Sequence, residues 1–331
     1  MMIKVAAKLY ILCIFILISL QSPIFANWTP PTRIHIGGGY YPTIFVKGDT
    51  IHVAYSMQIS RTQIMYVRST NRGATWSQGA KLNDTLSFSS GSYPKILSGP
   101  SSLIILWREV ERVGSQANIA CCISSDGGES WGEPRHVLNP GLLDVGVFSA
   151  ANNDSLINVI YDRLIWPNLV LFNSKSTDFG SSWSYPRQLL TAGDVSLMDM
   201  EAYGDTFHMV WSGNFEPSLW ESYLISSTNG GLNWSNPLLL TPFDSAGSQV
   251  PRLSINESGR MAVTWYDGRY APPGWVGDIF INTSTDQGIS WFGETQLTFI
   301  HQWGGESGLD LYGFQVFSAR FRSRLIYSEK R

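Results

Sequence analysis

Charge is scarce in this chain. Lys, Arg, Asp and Glu make up 15% of its 331 residues, and the formal net charge is −3. A near-neutral balance without a basic run gives no electrostatic basis for binding nucleic acid or an anionic membrane. Cysteine is scarcer still, limited to Cys13, Cys121 and Cys122. Cys13 lies in an N-terminal apolar run, and neighbours on a strand point to opposite faces, so adjacent Cys121 and Cys122 do not form an ordinary disulfide. CxxC and HExxH spacings are absent, which leaves no metal signature. The glycine run "IGGGYYP" (Ile36 to Pro42) follows a strand but opens no helix, so it does not read as a phosphate loop, and no cofactor is expected.

Long apolar runs are also missing, with one exception. Leu9 to Leu20 is continuously apolar, preceded by Lys4 and Lys8 and followed by "SPIFA" ending at Ala26. Its length of about 12 residues is short for a membrane span, and the flanks are those of a secretory signal peptide. This predicts a signal peptide over 1–26, a single mature domain over 27–331, no membrane span after cleavage, and a secreted or periplasmic location.

Aromatic residues are abundant: 13% of the chain, with 13 Trp. That favours a β-rich fold. One sentence is written five times: "STNRGATW" from Ser69, "SSDGGESW" from Ser124, "STDFGSSW" from Ser176, "STNGGLNW" from Ser227 and "STDQGISW" from Ser284. The spacings are 55, 52, 51 and 57 residues. Each unit holds short apolar runs separated by Gly, Asn, Asp and Ser, which read as strands and turns. About 50 residues and four strands per unit describe a propeller blade. The segment "NWTPPTRIHI" (Asn27 to Ile36) matches the tail of a unit. It predicts a sixth blade, in which Arg33–Ile36 joins C-terminal strands from Tyr312–Ser318 and Arg324–Ser328. The expectation is an all-β, six-bladed propeller closed by both termini. Whether the C-terminal blade is complete, or the chain is a piece of a longer protein, stays open.

In the repeated sentence, Asp or Asn can accept backbone N–H groups in a tight turn, Gly supplies positive φ, and Trp contributes a large apolar surface. Asn71 and Asn229 stand where Asp126, Asp178 and Asp286 stand in the other copies. A turn acceptor survives that exchange and a catalytic acid does not. The Trp residues of the five copies are Trp76, Trp131, Trp183, Trp234 and Trp291. The sentence therefore reads as a structural clamp between the third and fourth strands, carried by a buried indole. These copies resemble the Asp-box, or bacterial neuraminidase repeat, of sialidase-like propellers. The resemblance implies that fold and a family in which many members act on glycans. It also implies, for true sialidases, an arginine triad, a Tyr nucleophile with its Glu, and an Asp acid/base. The chain departs from that set: Tyr40 stands where the first Arg is expected, and "MQISRTQ" (Met57 to Gln63) lacks the carboxylate of the first-blade loop.

Up-and-down blades put the third–fourth turns on one face and the second–third loops and blade-to-blade connections on the other. The working surface is thus expected opposite the repeated turns. Aligned units place Thr43, Lys95, Ser149, Asp199 and Arg252 at one position of the innermost strand, with Tyr41 and Tyr93 two residues earlier. Ligand-binding candidates are Tyr41, Tyr93, Lys95, Asp199, Arg252, Arg269, Trp220 and Trp275. Carboxylates that could form a catalytic pair are Asp199, Glu201, Glu109, Glu221 and Asp267. Three functions are open. The first is glycan recognition, with a carbohydrate or glycoconjugate as partner. The second is glycoside hydrolysis. The third is a scaffold that binds another protein. Asp267 with Arg269 can also serve simply to tie a loop to its blade.

Overall fold

The computed structural model describes residues 33–34, 39–58, 62–83, 88–111, 117–138, 144–214, 220–244, 246–270 and 277–297. The chain divides into Met1–Ile36, of which Arg33 and Ile34 are described, and Gly37–Arg331, which holds every strand among the described residues.

Five four-stranded antiparallel sheets follow one another, each built from four consecutive strands. Blade 1 is β1 (Gly39–Lys47), β2 (Thr50–Gln58), β3 (Thr62–Ser69) and β4 (Ala80–Lys81). Blade 2 is β5 (Phe88–Ser98), β6 (Leu103–Glu111), β7 (Ala117–Ser124) and β8 (Arg135–His136). Blade 3 is β9 (Val145–Asn153), β10 (Leu156–Ile165), β11 (Asn168–Ser176) and β12 (Arg187–Ala192). Blade 4 is β13 (Asp194–Tyr203), β14 (Thr206–Asn214), β15 (Glu221–Ser227) and β16 (Leu238–Leu239). Blade 5 is β17 (Ser248–Ile255), β18 (Met261–Asp267), β19 (Asp278–Ser284) and β20 (Thr295–Gln296).

The fold is a five-bladed propeller, and the expectation of six blades is corrected. Each repeated turn joins the third and fourth strands of one sheet, so the five turns already count the blades. The sixth rests on segment length and on a likeness in "NWTPPTRIHI". Within it, Arg33 and Ile34 carry no strand. The expected C-terminal strands lie outside the described residues. Five inner strands are enough to surround a centre, because Lys95 of blade 2 reaches Asp199 of blade 4 across it at 3.0 Å.

The core lies between blades rather than within one layer. Four buried clusters form, one at each junction from blade 1–2 to blade 4–5. Each middle strand is covered on both faces, which is why Leu103 to Trp107 is apolar without interruption and buried throughout. Alternation sends neighbours to different junctions. Cys121 enters the blade 2–3 cluster and Cys122 the blade 1–2 cluster, and both are free thiols. Burial pushes the Cys121 thiol up to about 12.

The five turns are built alike. The first Ser Oγ donates to the Asp or Asn Oδ1 at 2.7–3.0 Å. It also accepts the Gly N–H at 2.7–2.9 Å. The same Oδ1 accepts the N–H four residues on at 2.8–2.9 Å. Asn71 and Asn229 do this with an amide oxygen, so the geometry asks for an acceptor and not a charge. Where the residue is Asp, a second Ser hydroxyl donates to Oδ2. These bonds to the charged form, led by that Ser, hold Asp286 down at about 2. The indoles of these turns are half-buried rather than buried. Among the described residues the fully buried indoles are Trp107, Trp211 and Trp265, in the interior of the second strands β6, β14 and β18.

Gly128 shows what the turn requires. Its φ is +83°, and a Cβ there would fall inside the Tyr66 hydroxyl. That hydroxyl lies 2.7 Å from His52 Nδ1. Gly128→Ala should therefore destabilise the domain by about 2 kcal/mol. In a domain this size that lowers Tm by about 4–6 °C. Thermal denaturation followed by circular dichroism would show it; an unchanged Tm would mean the turn relaxes freely.

Candidate functional site

The innermost strands β1, β5, β9, β13 and β17 line the centre, and their N-terminal ends point toward the face that carries the second–third loops. The repeated turns lie on the other face, so Asn71, Asp126, Asp178, Asn229 and Asp286 stand away from the channel mouth.

All five inner strands share a distortion: β1, β5, β9, β13 and β17 each break register with the second strand of their blade near the same level. In four of them Tyr41, Tyr93, Leu197 and Val250 sit at the bulge with φ between 33° and 57°. Left-handed φ is uncommon for non-glycine residues and unusual for a β-branched one. Three of the four precede proline (Pro42, Pro94 and Pro251), which disfavours the right-handed helical region for the residue before it. Blade 3 solves the problem differently. Its bulge residue Val147 donates its N–H to the buried Asp162 carboxylate. Burial pushes Asp162 up to about 6, against the backbone donors Val147 and Gly146.

Two residues beyond each bulge stands the polar ring. Thr43 and Ser149 are buried. Lys95 Nζ donates to Asp199 Oδ1 at 3.0 Å. Asp199 also accepts the N–H groups of Leu253 at 3.0 Å and Met200 at 3.1 Å. This carboxylate ties blades 2, 4 and 5 together. Burial opposes its charge, but Lys95, Arg252 and the Leu253 N–H outweigh it and hold its pKa below the usual range. Lys95 is likewise opposed by burial and raised by Asp199 and Glu201. Arg252 NH1 donates to the Pro251 carbonyl at 3.2 Å; among the described residues Arg252 makes no salt bridge. Glu201 follows Asp199 by two on the same strand. Burial raises it to about 7, Lys95 offsetting and Asp199 adding to the shift. On the loop side of the ring, the Tyr41 and Tyr93 rings lie 4.1 Å apart with their hydroxyls 3.3 Å apart.

A second cluster sits between blades 4 and 5 on the loop face. Glu221 and Asp267 are both fully buried. Thr241 Oγ1 donates to Glu221 Oε2 at 2.6 Å, and Ser248 Oγ to Asp267 Oδ2 at 3.0 Å. Burial raises Glu221 to about 7, with Asp244 and Asp267 adding to it. Asp267 goes the other way: burial opposes its charge, and Arg269 outweighs burial. Arg269 meets Asp267 at 2.5 Å, Asp244 at 3.6 Å and Glu294, and its guanidinium lies 4.5 Å from the Phe280 ring centre. Its donors are committed to carboxylates of its own chain.

The remaining candidates scatter. Glu109 is buried on β6, with His136 at 3.9 Å. Trp220 is half-buried, and its carbonyl accepts the Ser248 N–H. Trp275 lies outside the described residues. The structure thus brings Tyr41, Tyr93, Lys95, Asp199, Glu201 and Arg252 to one place and Glu221, Asp267 and Arg269 to another. Asp162, Thr241 and Ser248 carry no motif that singles them out in the sequence. Asp162 is one of the few carboxylates on a second strand, and that was its available signal. Among the described residues no group of three or more His, Cys, Asp or Glu side chains could hold a metal ion, and no helix is long and apolar enough to cross a membrane.

No protein-family model and no curated protein sequence matches the chain. Solved structures do resemble it. The α-L-arabinanase of Penicillium chrysogenum complexed with arabinobiose aligns with a TM-score of 0.57 at 14% identity, over 77% of this chain and 91% of that one. The endosialidase of phage phi92 gives 0.57 at 11% identity, over 76% of this chain and 55% of that one. A family 25 polysaccharide lyase, an ulvan lyase bound to a GlcA–Rha3S fragment, gives 0.55 at 12% identity, over 78% and 69%. At these identities the likeness establishes the propeller fold.

Proposed function

We propose that this chain is an exported, sialidase-like propeller that recognises a glycan at the channel mouth on the face opposite the repeated turns. Arg252 carries the reading. It is a partly buried guanidinium beside Asp199, without a salt bridge of its own among the described residues, beneath a paired tyrosine wall. Such a group has donors left for sugar hydroxyls or a carboxylate, and aromatic faces stack on sugar rings. The structural neighbours include an arabinanase, an ulvan lyase and an endosialidase, which supports the class of ligand. Residues 1–26 serve as the signal peptide and 27–331 as one mature domain. The five Ser-x-Asp/Asn-x-Gly-x-x-Trp turns support the sialidase-like kinship.

A second reading, glycoside hydrolysis, is favoured by Asp199 and Glu201. They lie two residues apart on one strand, Asp199 held below the usual carboxylate range and Glu201 raised by burial to about 7, a separation that suits a base and an acid. The test is a glycan array and a panel of fluorogenic glycosides with the mature protein. Arg252→Ala should weaken glycan capture at least tenfold, and Arg252→Lys, which keeps a cation beside Asp199, should weaken it as well while leaving Tm nearly unchanged. Turnover by the wild type that Glu201→Gln abolishes with Tm unchanged would establish hydrolysis. Absence of any retained glycan would overturn the proposal.

A further inference from the structure

The β10–β11 hairpin of blade 3 projects on the loop face and ends in the most exposed indole among the described residues: Trp166 is 85% exposed. Leu164 and Ile165 before it are also exposed. The two strands pair residue by residue up to Ile165 and Asn168, so Trp166 and Pro167 alone make the turn. The indole therefore stands on a backbone fixed by strand pairing up to the turn, and only its side-chain rotamers remain to be ordered when it is covered. Exposed apolar side chains next to one another mark a contact site more often than singly scattered ones do. Phe243 and Tyr270 on the blade 4 and 5 side of the same face are exposed as well. On this face Asp144 precedes β9, Asp194 opens β13 and Asp244 lies between β16 and β17. Both signs occur on this face, since Arg269 meets Asp244 and Arg163 stands three residues before Trp166, so the described residues form no basic patch that would draw an anionic membrane, whereas carboxylates among aromatic rings suit the hydroxyls and apolar faces of sugars.

We infer that Trp166 is a distal sugar-stacking platform, so that the ligand is an extended glycan chain running outward from the channel mouth, not a single terminal sugar. The inference rests on the glycan reading above, and the two fail differently. The experiment measures binding of arabinan, ulvan and polysialic acid by the mature protein, then compares a disaccharide with a hexasaccharide of whichever polymer is retained. Trp166→Ala should weaken the hexasaccharide about tenfold, within the range of aromatic stacking, and the disaccharide less than twofold, with Tm unchanged. Trp166→Phe should restore most of the loss. Equal loss for both lengths, or none for the hexasaccharide, overturns the distal platform while leaving channel binding in place. Retention of no glycan overturns both. Co-sedimentation with phosphatidylserine vesicles that Trp166→Ala abolishes would assign the tip to a membrane and overturn the inference.

Discussion

Lys95→Met should cost the folded protein about 3 kcal/mol at pH 7.5, because it leaves the Asp199 carboxylate inside the channel without its closest cation. The pair is largely withdrawn from solvent, with the two side chains 24% and 15% exposed, so screening removes little of this. Attraction between the two charges does not by itself set the magnitude. The desolvation of Asp199, already complete in the fold, must be borne with only Arg252 and two backbone N–H groups in support. Lys95→Met combined with Asp199→Asn removes both charges and should recover all but about 1 kcal/mol of the loss. Urea unfolding of the wild type, both single variants and the double variant measures the coupling. A near-neutral Lys95→Met would mean that the pair is a solvated contact and that the ring does not bind the blades together.

That ring was legible in the sequence, because five aligned strands each placed a polar residue among apolar neighbours. The repeated turn was legible too, since Asn could replace Asp and still supply the side-chain oxygen that the turn needs. The blade number was not. Reading a sixth blade required Arg33–Ile36 to form a strand, and a likeness of side chains in "NWTPPTRIHI" says nothing about whether a partner strand is present to accept its backbone bonds. The bulges were hidden for a different reason. Tyr41 and Tyr93 look like ordinary strand aromatics, and the proline that follows each reads as a strand edge, not as the mark of a left-handed residue. Arg269 stood in two readings, as a ligand-binding candidate and as a tie of its loop to the blade. The sequence shows Asp267 two residues away but not Asp244 and Glu294, which approach Arg269 from separate segments. Four of the five outermost strands, β4, β8, β16 and β20, have two residues each, while β12 has six; an outermost strand has a partner on one side only and little packing to extend it.

The second large effect is a gain. Glu221→Gln should stabilise the protein by about 3 kcal/mol at pH 8 and by almost nothing at pH 4.5. Glu221 is fully buried and its pKa rises from 4.5 to about 7. Burial is the chief cause, and the nearby Asp244 and Asp267 add to it. The folded state then holds a proton that the unfolded chain releases near pH 4.5. Between pH 4.5 and 7 the folded state binds more protons, so stability falls as pH rises through that window. A tenfold change in proton affinity corresponds to about 1.4 kcal/mol, so the rise from 4.5 to about 7 gives the figure of about 3. Gln cannot ionise and escapes the loss, while its side-chain oxygen can still accept the Thr241 hydroxyl. Glu201, also raised to about 7, adds a slope of the same sign. His52 and His208, lowered by burial to about 4, oppose it, because the unfolded chain takes up their protons below pH 6.5. The wild-type profile therefore blends both, and the diagnostic quantity is the difference between Glu221→Gln and wild type in urea unfolding across pH 4.5–8. A difference that is flat with pH would show that Glu221 is already ionised in the fold, stabilised by donors that its present surroundings do not supply.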